Sequence, residues 1–242
     1  MSKLTIIILY RDRVDELQRY LTHINTLKCS LSFELDIIIV EQNGILPFNK
    51  GALVNIGLQN AKSDWICIND VDTLPVKASS FKAVKDNSIV QPYGHKHTLS
   101  NIFFTTKNTM IDINGFSNRY WGWGYEDTDV LYRAIVKKVN IDRSSFNSRY
   151  MSEEYVESYQ QTDQELSEKM NSLHAKVNSI IFEYHVLNPS VLFQDGITTL
   201  NYNIEKLDKK DEITHLYCNL ELNYEYQDNI NKYNNRLKLI TC

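Results

Sequence analysis

The chain has 242 residues, 43% of them hydrophobic and 23% charged, enough to bury the core of one large domain. A formal net charge of −4 offers no broad basic face for nucleic acid. Cys29, Cys67, Cys218 and Cys242 are widely spaced with no C-x-x-C pair, which argues against a zinc site and against a disulfide framework.

The N-terminal segment MSKLTIIILYRDR is basic and then apolar up to Arg11. That apolar run is too short for a signal peptide or for a membrane span of roughly 20 residues. The expectation is a cytoplasmic protein with no transmembrane segment, leaving room for peripheral contact at the inner face of a membrane. Leu4–Tyr10 is rich in β-branched residues and reads as a buried strand. Val14, Leu17, Leu21, Ile24 and Leu27 recur at helical spacing. Leu35–Val40 is a second buried strand, Lys50–Ala61 a helix by pattern, and Trp65–Ile68 a third strand running into N-D-V-D. This alternation predicts an α/β fold with a mostly parallel central sheet flanked by helices. Ligands of such sheets bind beyond the carboxyl ends of the strands. Tyr10–Arg13, Glu41–Asn43 and Asn69–Asp72 all fall there, so motifs distant in sequence are expected to converge.

Farther along, Ile89–Gln91 and Phe103–Phe104 read as short strands, Asn114-Gly115-Phe116 as a turn, and Val130–Val136 as a helix. Ser152–Val177 is polar with weak helical periodicity and reads as surface helices or an excursion. Thr198–Ile204 and Ile213–Leu222 flank the charged loop Glu205–Glu212 and read as a hairpin. Tyr224–Cys242 is polar and Asn-rich, read as a loose helix.

Asp70-Val71-Asp72 follows a buried strand, and carboxylates one residue apart point the same way in extended chain. Together they suit a hard divalent cation that bridges to phosphate. The alternative is ordinary acidic loop chemistry before Pro75. Arg11 and Arg13 follow the first strand and are placed to clamp a diphosphate, or else to pair with Asp12 and Asp15. Phe48-Asn49-Lys50-Gly51 opens a helix whose positive end favours an anion. Tyr120-Trp121-Gly122-Trp123-Gly124-Tyr125-Glu126-Asp127-Thr128-Asp129 runs two tryptophan–glycine pairs into three acids. Helix capping accounts for one or two of those acids, but not for the W-G-W-G run before them. Glycine beside each indole frees the backbone, so the segment can fold over a flat ligand and set acids beside it.

The ordered set is Y-R-D-R, F-N-K-G-A-L-V-N, D-V-D and I-N-G-F-S-N-R-Y-W-G-W-G-Y-E-D-T-D. It resembles the β-1,4-galactosyltransferase family, glycosyltransferase family 7, in a bacterial-type form. That family reads F-R-N-R, F-N-R-A-K-L-L-N, D-V-D and I-N-G-F-P-N-N-Y-W-G-W-G-G-E-D-D-D in the same order. Asp195-Gly196-Ile197 with Leu200-Asn201-Tyr202 echoes its D-G-L-N-S-L-T-Y, so the resemblance spans roughly residues 4 to 222.

The resemblance implies a GT-A fold, a UDP-sugar donor, Mn²⁺ (or Mg²⁺) and inversion at the anomeric carbon. By position, Arg11 and Arg13 would hold diphosphate or uridine, with Tyr10, Phe48 and Lys50 around the nucleotide. Asp72 would be the principal metal ligand, with Asp70 at ribose or a metal-bound water. Trp123, with Trp121 and Gly124, would lie on a lid over the sugars. Glu126 and Asp127 would bind the acceptor, Asp127 as general base. The family's second metal segment, M-x-x-H, matches Met151-Ser152-Glu153-Glu154, which makes Met151 and Glu154 the candidate ligands, with His174 and His185 as alternatives. Three departures bear on specificity. Tyr125 replaces a glycine before the acids, Thr128 replaces an acid, and Thr98-Leu99-Ser100-Asn101 stands where the family has an aromatic and paired glycines. The last leaves both galactose and N-acetylgalactosamine open as donor sugars.

The implied protein is a single domain over 1–242: a nucleotide-binding half (1–90), an acceptor and catalytic half (91–222) and a tail (223–242). It would move a hexose from a UDP-sugar to a glycan acceptor hydroxyl in surface polysaccharide synthesis. The alternative is a catalytically silent UDP-sugar- or glycan-binding module of the same fold.

Overall fold

The computed structural model describes residues 3–148, 152–159, 161–222 and 227–231. The first third of the chain forms β1 (Lys3–Tyr10), α1 (Val14–Leu27), β2 (Glu34–Gln42), α2 (Lys50–Asn60), β3 (Trp65–Asp70) and β4 (Thr73–Pro75). The middle forms β5 (Ser88–Gly94), β6 (Ile102–Thr106), α3 (Lys107–Asp112), α4 (Glu126–Val136), β7 (Asn140–Asp142), β8 (Asn147–Ser148) and β9 (Tyr155–Glu157). Helices α5 (Asp163–Met170) and α6 (Leu173–Leu187) precede the hairpin β10 (Tyr202–Lys210) and β11 (Ile213–Leu220).

The main sheet runs β10-β11-β2-β1-β3-β6-β5-β7, with β8 also paired to β5. Strand β1 is parallel to β2 and β3, and β11 is parallel to β2. β6 runs antiparallel to both β3 and β5, which makes the sheet mixed. The strand residues send alternate side chains to opposite faces. Ile7, Leu9, Ile38 and Val40 meet α2 on one face, while Ile6, Ile8, Ile37 and Ile39 meet Tyr20 and Ile24 of α1 on the other. Both faces are covered, so the strands read as continuous apolar runs. Gly57 lets α2 lie close on β1: a Cβ there would sit 2.4 Å from the Ile7 side chain.

Two expectations shift. The charged stretch Glu205–Lys210 is strand, and the turn shrinks to Asp211 and Glu212, with Asp211 in left-handed backbone at φ 52°. β10 is the outermost strand and its residues 205–210 are exposed, so charge is tolerated and shields the edge from pairing with other chains. Helix α4 starts at Glu126, four residues before the apolar periodicity begins, because its first turn is acidic and not apolar. Of the C-terminal stretch 224–242, residues 227–231 are helical and the remainder lies outside the described residues.

Candidate active site

The carboxyl ends of β1 and β3, the start of α2, the start of α4 and the flank of α5–α6 enclose a cleft of about 760 Å³. Arg11, Arg13, Phe48, Lys50, Asp70 and Asp72 line it from the first half of the chain. Trp123, Gly124, Glu126 and Asp127 line it from the second.

Helix α2 delivers Lys50. Asn49 caps the helix, its side chain accepting from the Ala52 N–H at 2.9 Å, so Lys50 occupies the first turn. The Lys50 ammonium lies 3.0 Å from Asp70 Oδ1 and 2.9 Å from Asp127 Oδ1. A single cation thus joins the D-V-D segment to the E-D segment. Burial opposes its charge, but Asp127, Asp70 and Glu126 outweigh burial and hold Lys50 protonated well above the ordinary range. Lys50, expected beside the nucleotide, bridges carboxylates of the cleft.

The same helix fixes the loop that leads to the tryptophans. Asn55 donates to the Phe116 carbonyl at 2.8 Å and accepts from the Phe116 N–H at 3.0 Å. Asp195 accepts from the Ser117 hydroxyl and the Asn118 N–H. The asparagines of F-N-K-G-A-L-V-N and the aspartate of D-G-I are thus loop anchors. Helix α6 holds the W-G-W-G segment from behind. Asn178 is buried, and its Nδ2 donates toward the carbonyls of Trp121, Trp123 and Gly124 at 3.1, 3.3 and 3.0 Å. Gly122 adopts left-handed backbone at φ 74°, and a Cβ there would sit 2.5 Å from the His174 ring.

Arg13 Nη1 donates to Asp72 Oδ2 at 2.7 Å, and its guanidinium lies 5.5 Å from the Tyr159 ring centroid. Arg11 donates to the Leu46 carbonyl and lies 5.3 Å over the Phe48 ring. Burial and the neighbouring Asp70 push the Asp72 carboxyl above its usual range against the pull of Arg13. Burial, with Glu126 and Asp70, pushes Asp127 up to about 8 despite Lys50. Glu126 is raised as well, chiefly by burial, and its Oε2 is buried with no hydrogen-bond partner among the described residues.

Several candidates lie elsewhere. Tyr10 is buried at the end of β1 with its ring edge-on to His215 and is not among the residues lining the cleft. Trp121 is a core residue that borders a smaller second cavity. Trp121 is buried, whereas Trp123 two residues on is exposed at the cleft. Met151 lies outside the described residues. Glu154 is drawn off by Lys82 at 2.7 Å and by Ser79, and it does not reach the cleft. His174 packs on Gly122 and His185 on Asp129, both behind the lid segment.

The acid that β9 brings near Asp72 is Glu157, three positions after Glu154. Ser158 N–H donates to the Asp72 carbonyl at 2.8 Å, and Glu157 pairs in register with Thr73. The Glu157 carboxylate accepts from Tyr93 and Asn101. In sequence it carries no signal: Tyr155-Val156-Glu157 has no apolar–polar alternation, and its buried–exposed–buried pattern is set by the partner strand. Asn101 also shapes the site, its N–H donating to Asp70 Oδ2 at 3.2 Å from a left-handed backbone.

Asp129, third acid of the motif, faces the core. It bonds Arg133 Nε at 2.7 Å, His185 Nδ1 at 2.6 Å and the Tyr120 hydroxyl at 3.0 Å, with Arg133 and His185 fully buried. Burial works against its charge, but the His185 hydrogen bond and Arg133 hold it below the usual carboxylate range. Asp129→Ala leaves Arg133 buried without its counter-charge and is expected to cost about 3–5 kcal/mol, read by denaturant unfolding. A loss below about 1 kcal/mol would show that the network is dispensable.

No group of three or more His, Cys, Asp or Glu side chains forms a metal cage among the described residues. Asp72 and Asp70 nonetheless fit a hard cation. They are paired, partly desolvated carboxylates whose mutual repulsion a cation would relieve. Among the described residues, no helix is long and apolar enough to cross a membrane.

Two family models match adjacent stretches that together span residues 1–157. One described as the N-terminal region of glycosyl transferase group 7 matches residues 1–84, and one described as the N-terminal domain of galactosyltransferase matches residues 85–157. The xylosylprotein 4-beta-galactosyltransferase of Caenorhabditis elegans is 31% identical over 155 residues, covering 59% of this chain and 54% of that protein. The beta-1,4-galactosyltransferase 1 of Mus musculus is 31% identical over 160 residues, covering 58% of this chain and 39% of its own. The chain therefore spans about half, or less, of the length of these curated relatives. In fold it is similar to Drosophila β-1,4-galactosyltransferase 7, solved with manganese, UDP-Gal and xylobiose, with a TM-score of 0.72 and 19% identity, over 95% of this chain and 99% of that one. That likeness identifies the GT-A architecture. With both halves of the matched region assigned to one group and the motifs gathered in one cleft, the chain belongs to the galactosyltransferase family of glycosyl transferase group 7.

Proposed function

We propose that this protein is an inverting glycosyltransferase that moves galactose or N-acetylgalactosamine from a UDP-sugar to a glycan acceptor hydroxyl, with Mn²⁺ as cofactor. The observation that carries this reading is the Lys50 bridge, which puts Asp70 and Asp127 on one wall of a single cleft beside Asp72. Arg11 and Arg13 supply fixed positive charge for a diphosphate, and Phe48 a flat apolar face near it. A divalent cation held by Asp72, with Asp70 nearby, would neutralise the departing UDP phosphate.

The remaining chemistry belongs to this chain. Asp127, raised in pKa by burial, takes the acceptor hydroxyl's proton as that oxygen attacks the anomeric carbon from the face opposite UDP. Glu126 Oε2, buried with no partner among the described residues, is suited to accept a second hydrogen bond from the acceptor. When Asp127 takes the proton, Lys50 still has Asp70, so its charge is never left unpaired. Trp123 at the cleft rim narrows water's access to the reacting carbon. A role in surface polysaccharide synthesis is part of the proposal and rests on the acceptor being a glycan.

The test is UDP release from a panel of UDP-sugars with Mn²⁺. Slow release that EDTA abolishes and a suitable acceptor sugar accelerates is the expected result. Tight UDP binding with no turnover on any acceptor would instead make the protein a binding module. Because Glu154 is engaged by Lys82, Glu154→Ala is expected to leave the manganese dependence unchanged, within about twofold of the parent. A lost or strongly weakened Mn²⁺ response would return Glu154 to the metal site.

A further inference from the structure

We infer that Tyr125 is a stacking platform for the acceptor, setting which glycan the cleft accepts; this rests on the transferase reading above. Seven non-glycine residues among those described have positive φ. Five are Asn or Asp, the types that tolerate that backbone, and Lys138 closes the end of α4. Tyr125, at φ 73°, is the one aromatic among them. A large side chain in left-handed backbone is a strained choice where glycine would sit freely.

The surroundings force that backbone. The Gly124 carbonyl accepts from Asn178, and the Tyr125 carbonyl accepts from the Asp129 N–H at 2.8 Å in the first turn of α4. Strain held in this way concentrates at functional sites. The Tyr125 ring does not use its position to fill the core. It is 37% exposed, rests on Phe182 at 5.6 Å between centroids, and lines the cleft immediately before Glu126 and Asp127. Trp123, also 37% exposed, lines the same cleft across Gly124.

An exposed ring backed by a second ring offers a fixed flat face with a negative centre. The axial C–H groups of a pyranose present the complementary face, apolar and slightly positive. Beside the two acids that meet the acceptor hydroxyl, the ligand for this platform is a pyranose ring of the acceptor glycan, and not the donor nucleotide.

Tyr125→Gly and Tyr125→Asn both suit left-handed backbone and remove the ring, so either can report if the other folds poorly. Each is expected to raise acceptor KM about tenfold, leaving the KM for UDP-sugar and the acceptor-free UDP release within twofold of the parent. Tyr125→Phe keeps the face and should restore acceptor KM. The melting temperature of the glycine variant should equal or exceed the parent's. An unchanged acceptor KM in both ring-less variants overturns the inference, and a lowered melting temperature beside it would assign the ring to packing on Phe182. Absence of UDP release in the parent protein would instead strike the transferase reading itself.

Discussion

Asp127→Asn is expected to lower acceptor-dependent transfer about 10²- to 10⁴-fold, the usual contribution of a positioned general base. The asparagine keeps the shape and a contact for Lys50 but cannot take a proton. Affinity for UDP with Mn²⁺, read by calorimetry, should stay close to the parent's, because Asp72 and the two arginines are untouched. Transfer retained at parental rate would remove Asp127 as the base. A collapse of UDP affinity would show that Lys50 needs Asp127 to keep the nucleotide side in order.

The raised pKa gives this prediction a pH signature. Asp127 is pushed from 3.8 to about 8, mainly by burial. The base must be ionised to work, so the transfer rate should rise with pH, close to tenfold per unit below about 8, and level off above it. Stability runs the other way. Between pH 3.8 and about 8 the folded protein keeps a proton that the unfolded chain has released. Asp127's contribution to stability is therefore complete below 3.8 and declines as pH rises across that window. In Asp127→Asn both dependences should flatten together. A rate profile unchanged by the substitution would mean that another group sets it.

Asp72→Ala is the second large effect. It removes a carboxylate that Arg13 holds in the cleft, and with it the proposed principal cation contact. Cation-dependent UDP binding should fall at least about 100-fold, the scale on which site mutations reduce metal affinity and activity. Residual binding should no longer respond to EDTA. Fluorescence or calorimetric titration of UDP with and without Mn²⁺ separates this from simple unfolding, since the metal-free affinity should survive through Arg11 and Arg13. A parental Mn²⁺ response would place the cation elsewhere, with Asp70 and Glu157 the remaining acids beside position 72.

Much of this protein is legible in its sequence. The apolar runs at Leu4–Tyr10, Leu35–Val40 and Trp65–Ile68 become β1, β2 and β3, because strands buried on both faces have no reason to alternate. The carboxyl-end rule then predicts that Arg11, Arg13, Asp70 and Asp72 meet, and the W-G-W-G-x-E-D segment stands out as a site element by residue type alone. These are local signals: periodicity, capping, and glycine beside bulk.

Where sequence reading failed, the deciding contact came from far along the chain. Glu154 and Glu157 are indistinguishable as acids in a polar stretch, and only pairing of β9 with β4 turns one toward Asp72 and the other toward Lys82. Trp121 and Trp123 look equivalent, yet the core takes the first and the cleft the second. Asp129 sits in a catalytic-looking motif but is claimed by Arg133 and His185, the latter 56 residues away. Lys50 has no visible partner in sequence, and Asp127 lies 77 residues beyond it. The chain by itself determined the long buried strands β1 to β3, the helices α1 and α2, and the family motifs, since those depend on neighbours within a few positions. Tertiary structure alone decided which acids share a site and which lie in the core, because desolvation and charge pairing act through space.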